Sequence, residues 1–89
     1  MNDERLKSAK HRTVGVKQTT KAVQKGLAEL VYVAKDAERS IVAPLLEACR
    51  QQGVQVLEAE SMAWLGKACG IDVGASAAAI LRQPWTREA

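Results

Sequence analysis

The chain has 89 residues, of which 47% are hydrophobic, 3% aromatic and 26% charged, with a formal net charge of +3. This length suits one domain with a modest core, and the apolar fraction excludes a disordered chain. No apolar run approaches the roughly 20 residues of a membrane span, and the charged start lacks the apolar stretch of a secretory signal. We therefore expect one small globular domain in the cytoplasm, with no membrane association.

The elements predicted in chain order alternate between helix and strand. They are a short leading helix (3–10), a strand (13–16), a helix (17–27), a strand (30–34), a helix (40–52), a strand (53–57), a helix (61–70) and a final strand (77–81). Helices of crossover length between strands predict an α/β fold, a three-layer α-β-α sandwich with a mixed four-stranded sheet. We expect a single domain over residues 1–82 and a frayed tail over residues 83–89, in which Trp85 either patches the domain surface or stacks on a base.

Several residues mark the predicted helix ends. Ser40 is expected to cap the second of the three longer helices, with Pro44 in its first turn and Gly53 as its end. Ser61 and Gly70 bound the third. In the first, the predicted core face holds Val16, Thr20, Val23 and Leu27, whereas Lys17, Lys21 and Lys25 form a separate basic stripe.

The positive charge is concentrated in the first 26 residues. This segment holds seven Lys or Arg against two acids, a net charge of +5, whereas residues 27–89 hold six against eight, a net charge of −2. Lys and Arg that neutralise phosphates release condensed counterions, so the asymmetry favours a polyanionic partner. The alternative is a solvated helix face, for which such charge runs are common.

The residues that usually carry metal or catalytic chemistry are sparse. Cys49 and Cys69 form no Cys-x-x-Cys pair and His11 is the single histidine, so neither metal-ligand spacing nor a Ser/His/Asp or Cys/His set can be assembled. We expect two reduced thiols, no metal, no cofactor and no catalysis. Lys67 beside Cys69 favours a lowered thiol pKa, whereas its place on the apolar face of Leu65 favours burial, which we expect.

The first candidate site is the junction of the first strand with the helix after it. Gly15 leaves room for another backbone to approach, and the helix N-terminus presents free N–H groups to phosphate. Lys17 and Gln18 in the first turn can hydrogen-bond base edges, and Lys21, one turn later, suits a phosphate. The alternative is that Gly15 merely ends a strand and the lysines merely solubilise a helix.

The second candidate site is the loop Gly70–Ser76, which joins the last helix to the last strand. Ile71 and Val73 are β-branched apolar residues between the two glycines of this loop, and such residues in a loop are expected to cover a surface. They either plug the core or, if exposed, pack against an unstacked base, since sequence-specific RNA recognition mostly targets splayed nucleotides.

At these two places the chain resembles the kink-turn RNA-binding ribosomal-protein family, which includes archaeal and eukaryotic large-subunit proteins and box C/D core proteins. It is most similar to the short bacterial members of the YbxF type. The similarity covers about residues 7–81 and rests on three stretches in the same order: 15–21 with Gly26, 33–37, and 65–74.

The resemblance implies an α-β-α sandwich that binds kink-turns, RNA helices bent sharply by a bulge beside tandem sheared G·A pairs. In the family the start of the helix that follows Gly15 faces the sheared pairs, and the loop that holds Ile71 and Val73 covers extruded bulge nucleotides. The RNA-binding residues that it implies are Gly15, Val16, Lys17, Gln18, Lys21, Lys67, Ile71, Asp72, Val73 and Gly74. The expected partner of this monomer is a structured RNA: ribosomal RNA, a riboswitch or a messenger leader.

Three departures from the family pattern accompany this similarity. Archaeal members usually carry Asn-Glu where this chain has Lys17-Gln18, which adds positive charge and removes an acceptor carboxylate. Gly74 replaces a residue that is often Pro, and Lys35 stands where an acid is common, near Asp36 and Glu38. The alternative function is a ribosome-associated protein-interaction module with only non-specific RNA affinity. A third possibility, a small-molecule-binding α/β protein, is disfavoured because the sequence contains no phosphate-binding loop.

Overall fold

The computed structural model describes Leu6, Ala9 and residues 11–82. In this part of the chain the elements are β1 (Arg12–Val14), α1 (Val16–Gln24), β2 (Ala28–Ala34), α2 (Arg39–Gln52), β3 (Val56–Ala59), α3 (Met62–Ala68) and β4 (Ala77–Leu81). The leading helix expected over residues 3–10, except Leu6 and Ala9, and the expected frayed tail with Trp85 lie outside the described residues.

The four strands form one mixed sheet in the order β1-β4-β2-β3, as expected from the sequence. Strand β4 runs antiparallel to both β1 and β2, whereas β2 and β3 are parallel. Strands β1, β2 and β3 therefore finish at the same end of the sheet, where β4 starts, and we call it the carboxyl end. Each helix follows one of these three strands, so all three helices begin there.

Helices cover both faces of the sheet, which confirms the three-layer arrangement. On one face α1 and α2 pack against Val31 and Val33 of β2. On the other, α3 and Leu6 pack against Leu30 and Tyr32 of the same strand. Because both faces are covered, residues 30–34 of β2 are an uninterrupted apolar run rather than an alternating one, and only Glu29 near the start of the strand is exposed. No helix among the described residues is long and apolar enough to cross a bilayer.

The start of α2 differs from the prediction. The N-cap is Glu38, with no side-chain cap hydrogen bond, and Ser40 lies inside the helix, where its hydroxyl donates to Glu38 Oε2 at 3.4 Å. Pro44 consequently lies beyond the first turn, where its missing N–H removes a helical hydrogen bond to the Ser40 carbonyl. The predicted end is confirmed, because Gly53 adopts the left-handed conformation with φ 70° and ψ 32°.

Strands β3 and β1 have different bounds from those predicted, because residues predicted in each strand belong to the neighbouring helix or its cap. The strand predicted over 53–57 is β3, four residues long, because Gly53 belongs to the helix cap and the Val54 N–H still donates to the Cys49 carbonyl at 2.9 Å. Strand β1 stops at Val14 because Val16 is already helical. The final strand lies where it was predicted, over Ala77–Leu81.

Candidate functional site

The junction of β1 with α1 is a sharp turn at Gly15. Its φ of 98° and ψ of 151° lie in a region that residues with a side chain rarely adopt. The Gly15 N–H donates to the Ala77 carbonyl at 2.8 Å, and the Gly15 carbonyl accepts from the Thr19 N–H at 3.0 Å. No side chain caps α1, so the N–H groups of residues 16–18 have no partner within the helix and point outward. This start can therefore accept an anion.

The outer face of α1 carries cations beside these amides. Lys17, Gln18 and Lys21 are exposed, and their side chains make no ion pair or hydrogen bond with any other described residue. The first turn holds no acidic residue. Val16, by contrast, is partly buried against the core, so it presents backbone rather than side chain to the outside. The face is positive and free to bind.

The inner face of α1 is fixed by Thr19, which the sequence did not single out. Thr19 is fully buried, and its hydroxyl lies 2.8 Å from that of Thr13 in β1, which satisfies both groups. Thr20, predicted for the core face, is only partly buried and donates its hydroxyl to the Val16 carbonyl at 2.7 Å. The helix start is thus held to the adjoining strand by a polar contact inside the core.

The loop that precedes β4 folds back along α3. The Ile71 N–H donates to the Gly66 carbonyl, and the Ala75 N–H donates to the Met62 carbonyl, both at 3.0 Å. A side chain at Gly66 would collide with the Val73 carbonyl oxygen. The absence of a Cβ at Gly66 therefore lets the loop lie directly on the helix.

The two apolar residues of this loop have different surroundings. Val73 is 69% exposed, one of two large hydrophobic side chains that are exposed among the described residues. Ile71 is partly buried and packs against the cluster that contains Leu65 and Cys69. Of the two alternatives left open by the sequence, core packing thus applies in part to Ile71, and an exposed apolar surface applies to Val73.

A concavity of about 460 Å³ lies between α3 and this loop, and we call it the α3 hollow. It is lined by Ala63, Trp64, Lys67, Ile71, Asp72, Val73 and Gly74. Lys67 and the loop residues are among the site residues predicted from the sequence, whereas Trp64 and Ala63 are not. The spacing of Trp64 and Lys67, three residues apart on one helix, was the available signal.

The sheet brings the two candidate sites together at its carboxyl end. Val14 pairs with Ala78, and the Gly15 N–H reaches the Ala77 carbonyl, so α1 begins beside the residues that the loop leads into. The end of β2 lies there too, where the Ala34 N–H donates to the Ser76 carbonyl at 2.9 Å. The start of α1 and the residues that the loop leads into, Ser76 and Ala77, therefore meet at this end of the sheet.

Two charged residues near this surface have structural roles. Asp36, which borders the site, accepts from the Met62 N–H at 2.8 Å and so caps the start of α3. Arg12, counted in the basic segment, donates to the Leu6 and Ala9 carbonyls at 3.1 and 3.2 Å and to the Cys69 carbonyl at 3.0 Å. The charges of Asp36 and Arg12 in the sequence do not show that these side chains stabilise the fold.

Both cysteines are buried and carry free thiols. Burial raises the pKa of Cys49; it also raises that of Cys69, although the nearby Arg12 charge acts in the opposite direction. The alternative of a lowered Cys69 pKa is therefore wrong, because desolvation outweighs the positive charge. Among the described residues no group of three or more His, Cys, Asp or Glu could hold a metal ion.

We expect neither thiol to be reactive in the folded protein. A raised pKa leaves less thiolate at pH 8, and burial blocks access, so a thiol reagent such as DTNB should modify the native protein at least about tenfold more slowly than the urea-unfolded chain. Cys49→Ser and Cys69→Ser variants identify which thiol reacts. Modification of either cysteine at the unfolded rate would contradict its burial.

Known proteins resemble most of this chain. The model of the ribosomal protein L7Ae/L30e/S12e/Gadd45 family matches residues 2–85. An RNA-binding protein of Caldanaerobacter subterraneus subsp. tengcongensis is 48% identical over 68 residues, which are 76% of this chain and 83% of the relative. The RNA-binding protein YbxF of Geobacillus stearothermophilus is 43% identical over 82 residues, 92% of this chain and 100% of the relative. The structure of the 15.5kD RNA-binding protein of Giardia lamblia has a TM-score of 0.81 and 32% identity, covering 92% of this chain and 69% of its own.

Proposed function

Because the chain belongs to the ribosomal protein L7Ae/L30e/S12e/Gadd45 family, we propose that it is an RNA-binding protein that recognises kink-turns and stabilises their bent form. The relatives named as RNA-binding support the class of partner. The observation that carries the proposal is the exposed surface at the carboxyl end. An uncapped helix start carries exposed Lys17 and Gln18 there, and the loop with exposed Val73 leads into β4 at the same end.

This surface suits a distorted duplex better than a regular one. The major groove of A-form RNA is too deep and narrow for side chains to read. A sharp bend widens access to base edges and extrudes unpaired nucleotides, which offers Lys17 and Gln18 a base edge and Val73 an apolar base face. Lys21, one turn farther along α1, suits a backbone phosphate.

The mechanism requires binding alone and no catalytic step. A protein that binds only the bent conformation shifts the equilibrium between straight and bent RNA by its difference in affinity for the two. We infer that it acts as a monomer in the cytoplasm on a structured RNA, either ribosomal RNA, a riboswitch or a messenger leader. The alternative, a protein-interaction module with non-specific RNA affinity, predicts no preference for bent RNA.

Affinity for a short kink-turn duplex should exceed that for the same duplex with its G·A pairs changed to Watson–Crick pairs. We expect at least about tenfold discrimination by fluorescence anisotropy, and a log–log salt slope of magnitude roughly 2 to 4 from a few phosphate contacts. The variant Gln18→Ala should narrow the discrimination by about 1–3 kcal/mol if its base contact is bidentate. The matched control is Gln24→Ala, an exposed glutamine at the far end of α1, which should leave it unchanged.

Equal affinity for both duplexes would contradict kink-turn recognition and leave a charge-driven binder. A flat salt response with weak binding to both RNAs would instead favour the protein-interaction module. If discrimination persists in Gln18→Ala, the specificity lies elsewhere on the surface, and the base-edge role of the α1 start is wrong.

A further inference from the structure

Strand β3 forms one edge of the sheet. It pairs only with β2 in the part of the chain that the structure describes. The Gln55 carbonyl accepts from the Val31 N–H of β2 at 3.0 Å, which fixes the direction in which each following residue of β3 points its backbone groups. Because these directions alternate along a strand, Val56 and Glu58 point their N–H and C=O groups away from β2. This edge is therefore able to pair with a further strand.

A concavity of about 270 Å³ lies between α2 and β3, and we call it the β3 groove. Its larger apolar side chains are Val33, Val42, Leu46 and Val56. Val56 lies opposite Val31 in the register, so its side chain is on the face of the sheet that carries α2. The groove is smaller than the roughly 300–1,000 Å³ of typical small-molecule sites, and it suits a single aliphatic side chain better than a larger ligand.

Three charged side chains also line the β3 groove: Lys35, Arg39 and Glu58. All three are exposed, and none makes an ion pair or side-chain hydrogen bond with another described residue. The neighbouring Asp36 does not neutralise the two cations, because its carboxylate accepts from the Met62 N–H. Two unpaired cations against one acid complement a ligand that carries a carboxylate.

We propose that the β3 groove binds an extended segment of a partner protein, which pairs with β3 as a fifth strand. One aliphatic side chain of the segment fills the groove, and one acidic side chain binds Lys35 and Arg39. Strand addition of this kind gains affinity from main-chain hydrogen bonds and specificity from pockets for alternate side chains. The proposal goes beyond kink-turn recognition and does not depend on it.

The free edge favours a protein segment over RNA as the ligand. RNA would neutralise the cations, but it has no row of amide groups to match those of Val56 and Glu58, and its phosphates would meet the Glu58 carboxylate. Side chains on one face of an added strand are two residues apart, so the aliphatic and acidic residues should be separated by an even number of positions. The residue opposite Glu58 should be basic or uncharged, since like charges directly opposite are destabilising.

A display library of random octapeptides, selected on the folded full-length protein, tests this sequence pattern. We expect the enriched peptides to share an aliphatic residue and an Asp or Glu an even number of positions away. A synthetic peptide with the enriched sequence then serves as the probe in fluorescence anisotropy. Lys35→Glu and Arg39→Glu should each weaken its binding about 10- to 100-fold, because each replaces an attraction for the carboxylate by a repulsion.

N-methylation of the peptide backbone tests the strand pairing itself. Only every second residue of an added strand directs its N–H toward β3. Methyl groups on these residues should therefore reduce the affinity at least about tenfold, whereas methyl groups on the residues between them should have a much smaller effect.

Lys25→Glu is the matched control for the charge changes. Lys25 is exposed at the C-terminal end of α1 and does not line the β3 groove, so this variant carries the same change of charge and should bind the peptide as tightly as the unmodified protein. Thermal melts of all variants report the folded fraction. Because the substituted side chains are exposed, we expect little change in stability.

The proposal is overturned if the selected peptides show no evenly spaced pattern, or if the two N-methylated peptides bind equally well. It is also overturned if Lys35→Glu and Arg39→Glu weaken kink-turn RNA binding but leave peptide binding unchanged, because the cations then serve RNA. Dimerisation of the unmodified chain that the same variants abolish would assign the edge of β3 to a second copy rather than to a partner protein.

Discussion

Gly66→Ala should lower the melting temperature by about 5–20 °C. Helix propensity alone predicts the opposite, since alanine in a helix is favoured over glycine by about 1 kcal/mol. However, Gly66 is buried, and a Cβ there would collide with the Val73 carbonyl oxygen of the returning loop. Overpacking of this kind costs typically about 1–3 kcal/mol, and each kcal/mol corresponds to about 4–8 °C in a domain of this size.

The measurement is a thermal melt followed by circular dichroism, with Ala43→Gly as the matched control. Ala43 is exposed on α2, so its exchange with glycine measures the propensity term without any steric contribution. We expect that control to destabilise by at most about 1 kcal/mol. If Gly66→Ala instead melts at a higher temperature than the unmodified protein, the loop does not press on α3, and the proposed geometry of the hollow is wrong.

Single residues predicted the helix ends correctly only where the residue itself forms the cap, through its own side chain or backbone. Ser61 caps α3 through its hydroxyl, and Gly53 ends α2 in a left-handed conformation, so both were readable from the sequence. Ser40 is chemically suited to cap α2, yet the cap is Glu38, whose side chain makes no cap hydrogen bond. Where the chain leaves β2, rather than the chemistry of one residue, decides where α2 begins.

The final strand shows how tertiary context can override intrinsic preference. Ala77–Leu81 begins with three alanines, which favour helix, but the segment pairs with β1 on one side and β2 on the other. Its small side chains are buried on both faces, where helices approach closely. Its short length and its position after Gly74 predicted the strand; alanine propensity alone would not have done so.

The candidate site was predictable as two segments but not as one surface. Glycine, lysine and glutamine at the α1 start could be interpreted locally because a helix N-terminus has known chemistry. Ile71 and Val73 could not be separated, since a loop has no periodicity that assigns one side chain to the core. Trp64 was missed because the hollow exists only after the loop folds back over α3.

Val73, the exposed apolar residue of the loop before β4, gives the second large expected effect, which is on RNA binding. Val73→Asp should weaken kink-turn binding by about 10- to 100-fold, because it removes an apolar contact with a base, worth at most about 1.5–3 kcal/mol for a fully buried valine, and places a carboxylate near phosphates. The melting temperature should change by less than about 4 °C, since a side chain that is 69% exposed contributes little to the core. Anisotropy titrations and thermal melts on the same preparation measure both quantities.

Ile71→Asp is the matched comparison, with the same substitution two residues earlier in the same loop. Because Ile71 packs partly against the core cluster, we expect it to lower the melting temperature by clearly more than Val73→Asp does, through an unpaired charge next to apolar side chains. Both variants add the same charge near the RNA, so a difference in stability reports burial rather than electrostatics. If Val73→Asp binds kink-turns as tightly as the unmodified protein, the exposed valine does not contact RNA, and the loop belongs to the fold alone.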